Sequence, residues 1–222
     1  GGPGLGGIQP SQSDYYQATR GVGHGDLRLL VLAPSSVQEM ASLTATAFDL
    51  ADIYRMPAML LADGALGQMM EPVDFSAFEK HEIPEKPWAT VGHKMAREHN
   101  IVNSLFIDPQ VLEDSVRARY KRYDMVEEKE VRYEEFCTDD ADIVLVAFGI
   151  TARICKSAVT AAREKGIKAG LLRPITLWPF PKKPIAAVAD HAKALLSVEM
   201  SMGQMVDDVR LAVNGKKPVC FY

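Results

Sequence analysis

Short apolar runs alternate with an amphipathic stretch near the start of the chain. The runs at 27–34, LRLLVLAP, and at 58–63, AMLLAD, have the length and apolar composition of buried strands. Between them, the stretch 35–40, SSVQEM, places Ser three residues before Gln or Glu, which indicates a capping box at a helix start. Pro57 ends this helix. A strand, a helix and a second strand in this order predict a βαβ unit with parallel strands.

The predicted helix carries apolar or small side chains at helical spacing along one side. We expect that side to face the sheet, because an amphipathic helix turns its apolar stripe towards the core. The predicted buried positions are Val37, Met40, Ala41, Thr44, Ala47, Phe48, Ala51 and Tyr54.

The periodic pattern lapses in the middle of the chain. Prolines between residues 71 and 88 indicate a linker that crosses the surface. The apolar run at 100–107, NIVNSLFI, predicts one more strand. Asp108 followed by Pro109 is typical of a helix start, and the charged segment from there to residue 136 predicts a solvated bridging helix.

From residue 139 onward, strand-like and helix-like stretches alternate again. This alternation predicts a second α/β unit with a mostly parallel sheet. The stretch 173–181, RPITLWPFP, predicts a rigid, packed loop between two of these elements. The predicted strands are 142–149, 167–174, 194–200 and 218–222, and the predicted helices are 150–166, 184–191 and 203–213.

Composition and charge narrow the classes of function. The 222 residues are 47% hydrophobic and carry a net charge of −4, which argues against a nucleic-acid surface. The basic run RARYKRY at 117–123 does not change this, because the acidic run EEKE follows it. No apolar run reaches the ~18–20 residues that a membrane span requires. The cysteines, Cys137, Cys155 and Cys220, are odd in number and widely spaced, which indicates reduced thiols in a cytoplasmic protein.

The opening glycine cluster is the first candidate for chemistry. Gly2, Gly4 and Gly7 formally match Gly-x-Gly-x-x-Gly, but Pro10 and polar residues follow where a dinucleotide-binding helix should begin. Backbone N–H groups and small or amide side chains in such a loop suit a carboxylate or a heterocycle. A plain surface loop is the alternative. The polar side chains available here are those of Gln9, Ser11, Gln12, Ser13 and Asp14.

Two other stretches lie where the carboxyl ends of predicted parallel strands place ligands. They are 63–72, DGALGQMMEP, and 198–205, VEMSMGQM. In the second, Glu199, Ser201 and Gln204 are polar residues at a strand-to-helix junction, and they either face a ligand or serve the fold. The five histidines are scattered, so we predict no metal site and recognise no catalytic triad or Cys–His pair.

Long stretches of the sequence together resemble one family, the alpha subunit of 2-oxoacid:ferredoxin oxidoreductases, in particular the variants for 2-oxoisovalerate or 2-oxoglutarate. The resemblance covers nearly the whole chain. It rests on residues 1–26 (GGPGLGGIQPSQSDYYQATRGVGHGD), 32–40 (LAPSSVQEM), 48–57 (FDLADIYRMP), 67–72 (GQMMEP), 85–92 (EKPWATVG), 172–181 (LRPITLWPFP) and 198–216 (VEMSMGQMVDDVRLAVNGK).

The resemblance implies a fold and a division of the chain. Residues 1–75 are expected to be the C-terminal part of a thiamine-pyrophosphate pyrimidine-binding domain, and 76–138 a linker with a charged helix. Residues 139–222 are expected to form a transketolase-C-terminal-like α/β domain with a mostly parallel sheet. We expect the first part of the pyrimidine domain, with the Glu that contacts the thiamine pyrimidine, to lie upstream of Gly1. An unpaired sheet edge and an exposed apolar face near 27–32 and 58–62, or an oligomer, would follow.

The resemblance also implies an activity and partners. The activity is oxidative decarboxylation of a 2-oxoacid to an acyl-CoA and CO₂, with electrons passed to ferredoxin. Thiamine pyrophosphate with Mg²⁺ is shared with a beta subunit, and gamma and delta-type subunits complete the complex. Iron–sulfur clusters are expected only in partner chains. The implied pocket-lining residues are Gly4, Gly6, Gly7, Gln9, Ser11 and Gln12, with no catalytic residue in this chain.

Two hypotheses about the chain remain open from its sequence. The first is an enzyme subunit that is inactive in isolation. The second is a structural module that provides subunit contacts and a pocket wall without binding a cofactor. A nucleotide-binding domain that uses the glycine loop is a third, weaker reading, because neither a preceding strand nor a Gly-Lys-Ser/Thr sequence supports it.

Overall fold

The computed structural model describes residues 10–21 and 24–222. The described strands form two sheets, one with the order β2–β1–β6 and one with the order β3–β5–β4–β7–β8. The strands are β1 Leu30–Leu32, β2 Ala58–Leu60, β3 Tyr133–Phe136, β4 Ile143–Val146, β5 Ala169–Pro174, β6 Thr176–Trp178, β7 Ala194–Ser197 and β8 Val219–Phe221. The helices are α1 Tyr15–Thr19, α2 Val37–Tyr54, α3 Gly64–Gly67, α4 Pro109–Lys129, α5 Gly149–Glu164, α6 Lys182–His191 and α7 Met205–Val213, with a 3₁₀ turn at Phe75–Ala77.

The smaller sheet contains the predicted βαβ unit. Strand β1 pairs in parallel with β2, and the predicted crossover helix α2 connects them. On its other side β1 pairs antiparallel with β6, which lies within the stretch 173–181 that was predicted as a loop. Both edges of β1 are paired, and Leu30, Val31 and Leu32 are fully buried, Leu30 and Val31 within the main apolar cluster. The predicted exposed apolar face is therefore wrong at β1, while β2 forms the edge and is half-buried.

Helix α2 begins as predicted but buries a different side. Ser36 Oγ accepts from Glu39 N at 3.2 Å, which confirms the capping interaction. Its buried residues are Leu43, Thr46 and Leu50, whereas Phe48 on the predicted stripe is 74% exposed. Small and apolar residues occur on more than one side of this helix, so the sequence pattern did not single out the face that meets the sheet.

The segment from residue 68 to residue 108 runs over the surface. It is held on α2 by polar contacts, with His81 Nδ1 3.0 Å from Asp49 Oδ2 and Lys86 Nζ 2.7 Å from Asp52 Oδ2. The predicted strand at 100–107 is wrong: the stretch is irregular and most of its apolar side chains are exposed. An apolar run becomes a strand only where a neighbouring backbone is available to pair with it.

The predicted charged helix is confirmed as α4. Asp108 caps it by accepting from Gln110 N at 2.8 Å, and Pro109 occupies its first position. Only Tyr123 and Val126 of this helix are buried, so the rest of its surface is solvated as predicted.

The larger sheet is mostly parallel, as predicted. Strands β5, β4, β7 and β8 run parallel, and β3 pairs antiparallel with β5 at the edge. Strand β3 lies within the stretch expected as linker, so this sheet recruits a strand from before residue 139. One buried apolar cluster runs from Tyr15 through β1 to Val213, joining both sheets. The division at residues 75 and 138 stays a prediction.

Candidate functional site

Three strand ends meet around the segment 11–16. The residues concerned lie just beyond these ends: Asp63 after β2, Phe148 after β4 and Met200 after β7. The carboxyl ends of parallel strands are where open α/β sheets bind ligands. The segment between them follows directly on the glycine-rich loop, so the structure brings a predicted lining segment to the edge where ligands are expected.

Gln12 is the buried centre of this junction. Its backbone N–H donates to Met200 O at 2.9 Å, and its side-chain Nε2 donates to Phe148 O at 2.9 Å. Its Oε1 accepts from Thr151 Oγ1 at 2.8 Å and from Met200 N at 3.1 Å. Only 5% of the residue is exposed. The amide of Gln12 is therefore engaged with the second unit and is not a free ligand-binding group.

The other predicted lining residues divide between described and undescribed parts of the chain. Ser11 borders a small cavity, and its Oγ lies 2.9 Å from Ser13 Oγ. Gly4, Gly6, Gly7 and Gln9 lie outside the described residues. The lining role of all six residues stays a prediction.

A cavity of about 20 Å³ lies at the junction, enough for one water molecule. Asp63 faces this cavity, and its two carboxylate oxygens differ in their hydrogen bonding. Asp63 Oδ1 caps α3 by accepting from Ala65 N at 2.8 Å and Leu66 N at 3.1 Å. Its Oδ2 is buried without a hydrogen-bond partner among the described residues. The cavity is lined by Ser11, Gln12, Asp14, Leu61, Ala62, Asp63, Phe148 and Gly149.

Gly149 closes the opposite wall, where α5 begins without a side-chain cap. Its φ of +58° lies in the left-handed region, which favours glycine. A Cβ at this position would lie 3.2 Å from Gln12 Nε2 and 3.8 Å from Asp63 Oδ2. Both the backbone conformation and the space therefore select glycine at this wall.

Glu199 lies between β7 and α7, and it stabilises the fold rather than facing the cavity at Gln12. Its buried carboxylate caps α7, accepting from Gln204 N, Met205 N and Val206 N at 2.8–3.0 Å. The hydroxyls of Ser197 and Ser201 donate to it as well. An acid at this position satisfies N–H groups that a helix start leaves unpaired.

Gln204 holds the segment 13–16 from the same junction. Its Oε1 accepts from Tyr16 N at 2.8 Å and its Nε2 donates to Ser13 O at 2.8 Å. Together with Gln12 it fixes the backbone of this segment to the second unit. The sequence marked Gln204 as polar at a strand end, but its partner lies 188 positions earlier, which no local pattern reveals.

A tyrosine–aspartate cluster extends the attachment, and sequence reasoning missed it. Tyr15 Oη donates to Asp208 Oδ2 at 2.5 Å, and Arg20 Nη2 lies 3.0 Å from Asp208 Oδ1. Tyr16 Oη donates to Asp207. Burial, and then the Asp208 carboxylate, hold the pKa of Tyr15 well above its usual range, so it stays a neutral donor. The adjacent pairs Tyr15–Tyr16 and Asp207–Asp208 were its only sequence signal.

Residues 10–21 and 24–222 hold no group of three or more His, Cys, Asp or Glu side chains arranged for a metal ion. Among the described helices, none combines the length and the apolar character needed to cross a membrane.

Two family models match the chain in tandem. Residues 1–137 match the thiamine diphosphate-binding domain of pyruvate flavodoxin/ferredoxin oxidoreductases, and residues 141–222 match pyruvate:ferredoxin oxidoreductase core domain II. These matches confirm the expected order of a thiamine diphosphate-binding domain and a second α/β domain.

Curated relatives agree with these matches. The ketoisovalerate oxidoreductase subunit VorB of Methanothermobacter marburgensis is 51% identical over 211 residues, covering 95% of this chain and 60% of that protein. The 2-oxoglutarate synthase subunit KorA of Methanothermobacter thermautotrophicus is 33% identical over 239 residues, covering 94% of this chain and 62% of that protein. The chain therefore spans 60–62% of the length of these relatives.

A solved structure supports the fold. The 2-oxoglutarate:ferredoxin oxidoreductase from Magnetococcus marinus, with 2-oxoglutarate, coenzyme A and succinyl-CoA bound, matches with a TM-score of 0.75 at 22% identity. The match covers all of this chain and 44% of that one. At this identity the likeness concerns the arrangement of helices and strands.

Proposed function

The chain belongs to the 2-oxoacid:ferredoxin oxidoreductase family as an alpha-type subunit, and we propose that it acts within a complex that oxidatively decarboxylates a 2-oxoacid. The products are an acyl-CoA and CO₂, and the electrons pass to ferredoxin. The observation that carries this proposal is the tandem match of both family models over nearly the whole chain.

The cavity beside Ser11 and Gln12 is too small to hold thiamine diphosphate by itself. The cavity at the junction holds about one water molecule, and the described part of the chain contains no acidic cluster for the Mg²⁺ of a diphosphate. We therefore place the cofactor and its Mg²⁺ at an interface shared with a beta subunit. When bound, thiamine diphosphate supplies the electron sink for decarboxylation. Iron–sulfur clusters belong, in this proposal, to partner chains, and gamma and delta-type subunits complete the complex.

In this proposal the chain contributes a wall on the substrate side. The proposed lining residues are Gly4, Gly6, Gly7, Gln9, Ser11 and Gln12. Support comes from the placement of the last two at the carboxyl edge of the strands, where Gln12 is buried and fully bonded. A wall of small residues and backbone groups leaves room for a 2-oxoacid and offers N–H donors to its carboxylate.

We propose a branched-chain 2-oxoacid as the preferred substrate. Identity is 51% to a ketoisovalerate oxidoreductase subunit and 33% to a 2-oxoglutarate synthase subunit, which favours the branched-chain class. We place the complex in the cytoplasm. There the three free thiols of this chain, Cys137, Cys155 and Cys220, would stay reduced.

A substrate panel tests this function. The chain is co-expressed with its partner subunits, and the complex is assayed anaerobically for coenzyme A-dependent viologen reduction with 2-oxoisovalerate, 2-oxoglutarate and pyruvate. We expect the highest kcat/KM with 2-oxoisovalerate. Turnover with 2-oxoglutarate or pyruvate instead would overturn the substrate class, and no turnover with any 2-oxoacid would overturn the function. A complex lacking this chain serves as the control, and equal activity without the chain would also overturn the function.

A further inference from the structure

Asp63 presents one buried carboxylate oxygen to the cavity at the strand ends. The residue is 7% exposed, and its Oδ1 already caps α3 by accepting from Ala65 N and Leu66 N. Its Oδ2 is buried and has no hydrogen-bond partner among the described residues. A buried carboxylate oxygen without a donor is unfavourable, because it loses its hydration and gains nothing in return. A hydrogen-bond donor inside the cavity would remove this penalty.

The start of α5 supplies the opposite kind of group at the same cavity. Gly149, the first residue of α5, lines the cavity, and a Cβ at this position would lie 3.8 Å from Asp63 Oδ2. The first N–H groups of a helix have no partner within the helix. Among the described residues, neither Gly149 N nor Ile150 N donates to a backbone oxygen or to a side-chain cap. The start of α5 therefore offers N–H donors where Asp63 offers an acceptor.

The size of the cavity limits what it can hold. Its volume of about 20 Å³ exceeds the roughly 10–15 Å³ that a single water molecule needs, and it is too small for an organic ligand. Buried water molecules typically make about three hydrogen bonds to polar groups. Asp63 Oδ2 and the N–H groups of α5 provide such partners, and Ser11, which also lines the cavity, adds a hydroxyl.

A monovalent cation is the rival occupant, because Asp14 lines the cavity together with Asp63. The start of α5 disfavours a cation, since the N-terminus of a helix carries about half a positive charge. A water molecule is able to accept from an N–H group and to donate to a carboxylate at the same time, and so it bridges groups that a cation would not.

We propose that this cavity is a binding site for one ordered water molecule, which donates to Asp63 Oδ2 and accepts from an N–H group at the start of α5. Asp63 follows β2 of the smaller sheet, and α5 follows β4 of the larger sheet. The water molecule therefore links the two units at their strand ends. This inference is independent of the proposed function.

A high-resolution crystal structure of the assembled complex tests the site without any substitution. We expect one water molecule at roughly 2.5–3.2 Å from both Asp63 Oδ2 and the backbone nitrogen of Gly149 or Ile150. Crystals grown in rubidium chloride distinguish the rival occupant, because rubidium gives an anomalous signal. An empty cavity, a cavity filled by protein atoms or an anomalous peak inside it would overturn the proposal.

A pair of matched variants gives a second readout, the melting temperature of the complex. Asp63→Asn keeps an oxygen to cap α3 but replaces the oxygen that faces the cavity by an NH₂ group. Asp108→Asn is the control, because Asp108 Oδ1 caps α4 in the same way, accepting from Gln110 N and Val111 N, while the residue is exposed.

We expect Asp63→Asn to lower the melting temperature by about 2–4 °C and Asp108→Asn to change it by less than about 1 °C. The sign is informative, because removing the charge of an unpaired buried carboxylate would relieve a penalty instead. An unchanged or raised melting temperature for Asp63→Asn would overturn the proposal. Equal losses in the two variants would overturn it as well, since they would show that only the helix caps had been weakened.

Discussion

Arg173 on β5 and Glu39 on α2 form a two-pronged ion pair that joins the two units. Arg173 Nη2 lies 2.7 Å from Glu39 Oε1, and Nη1 lies 2.9 Å from Oε2. Arg173 Nη1 also donates to Ser35 Oγ. Glu134 Oε2 is 3.1 Å from Nε but off the N–H direction, so this contact adds charge without a hydrogen bond.

Removing the arginine should destabilise the chain strongly. Arg173 is 4% exposed, so Arg173→Met leaves Glu39 and Glu134 without their shared partner. We expect a loss of about 3 kcal/mol in the free energy of unfolding, the lower end of the range for breaking a buried pair. Urea unfolding measures it. Lys182→Met, which breaks an exposed pair with Glu127 at 3.5 Å, should change stability by less than about 1 kcal/mol. Equal losses in the two variants would contradict this account.

The same ion pair makes stability depend on pH. Burial acts to raise the pKa of Glu39, but the Arg173 hydrogen bonds and charge and the Ser35 N–H outweigh it, so the pKa lies below its usual range. A carboxylate with a depressed folded-state pKa stabilises the fold above its unfolded value of about 4.3, and this stability is lost as pH falls through the folded value. The melting temperature should therefore fall more steeply between pH 7 and pH 3 for the wild type than for Glu39→Gln. Parallel curves of melting temperature against pH would show that the pKa of Glu39 is not lowered in the folded state.

A comparison of Gly149 with Gly166 separates the cost of a left-handed backbone from the cost of a crowded Cβ atom. Gly149→Ala must hold a left-handed φ and place a Cβ 3.2 Å from Gln12 Nε2, whereas Gly166→Ala holds a left-handed φ in open space. We expect Gly166→Ala to cost about 1–2 kcal/mol from the backbone alone. Gly149→Ala should cost more, because the bonded amide of Gln12 must move. Denaturant midpoints of the two variants decide this, and equal values would mean that the wall is not crowded.

Glu199 provides a test of the helix cap. Glu199→Gln keeps the size of the side chain but replaces one acceptor oxygen by a donor facing backbone N–H groups of α7. We expect a loss of about 1–2 kcal/mol, at the upper end of the range for caps. Glu128→Gln, on the exposed side of α4, should be close to neutral. A neutral Glu199→Gln would contradict the capping role.

Local patterns were sufficient for much of the fold. The capping sequence at Ser36, the Asp108–Pro109 helix start and the alternation after residue 139 each depend on neighbours in the chain, and each is confirmed. The pairing of β1 with β6 escaped prediction because Val31 and Trp178 are far apart in sequence. The run at 100–107 failed as a strand for the complementary reason, since composition alone does not supply a partner strand.

In the candidate site, too, the sequence predicted some features, while others depend on contacts between distant segments. Ser11 and Gln12 were predicted as lining residues, and the structure places both at the strand ends. The bonds of Gln12 to Phe148 and Met200 and the capping role of Glu199 depend on contacts between distant segments. Polarity at a strand end drew attention to Glu199 and Gln204, but it did not show that one caps α7 and the other bonds to Ser13 and Tyr16.

We propose that this chain is one subunit of a 2-oxoacid oxidoreductase and is inactive alone. Titrating it into its purified partner subunits, with 2-oxoisovalerate, coenzyme A, thiamine diphosphate and Mg²⁺ under anaerobic conditions, tests this claim through the rate of viologen reduction. We predict no reduction by the chain alone and a rate that rises with added chain and saturates at stoichiometric assembly. Dye reduction that scales with this chain in the absence of other subunits, or a rate in the mixture that ignores its addition, would contradict the account.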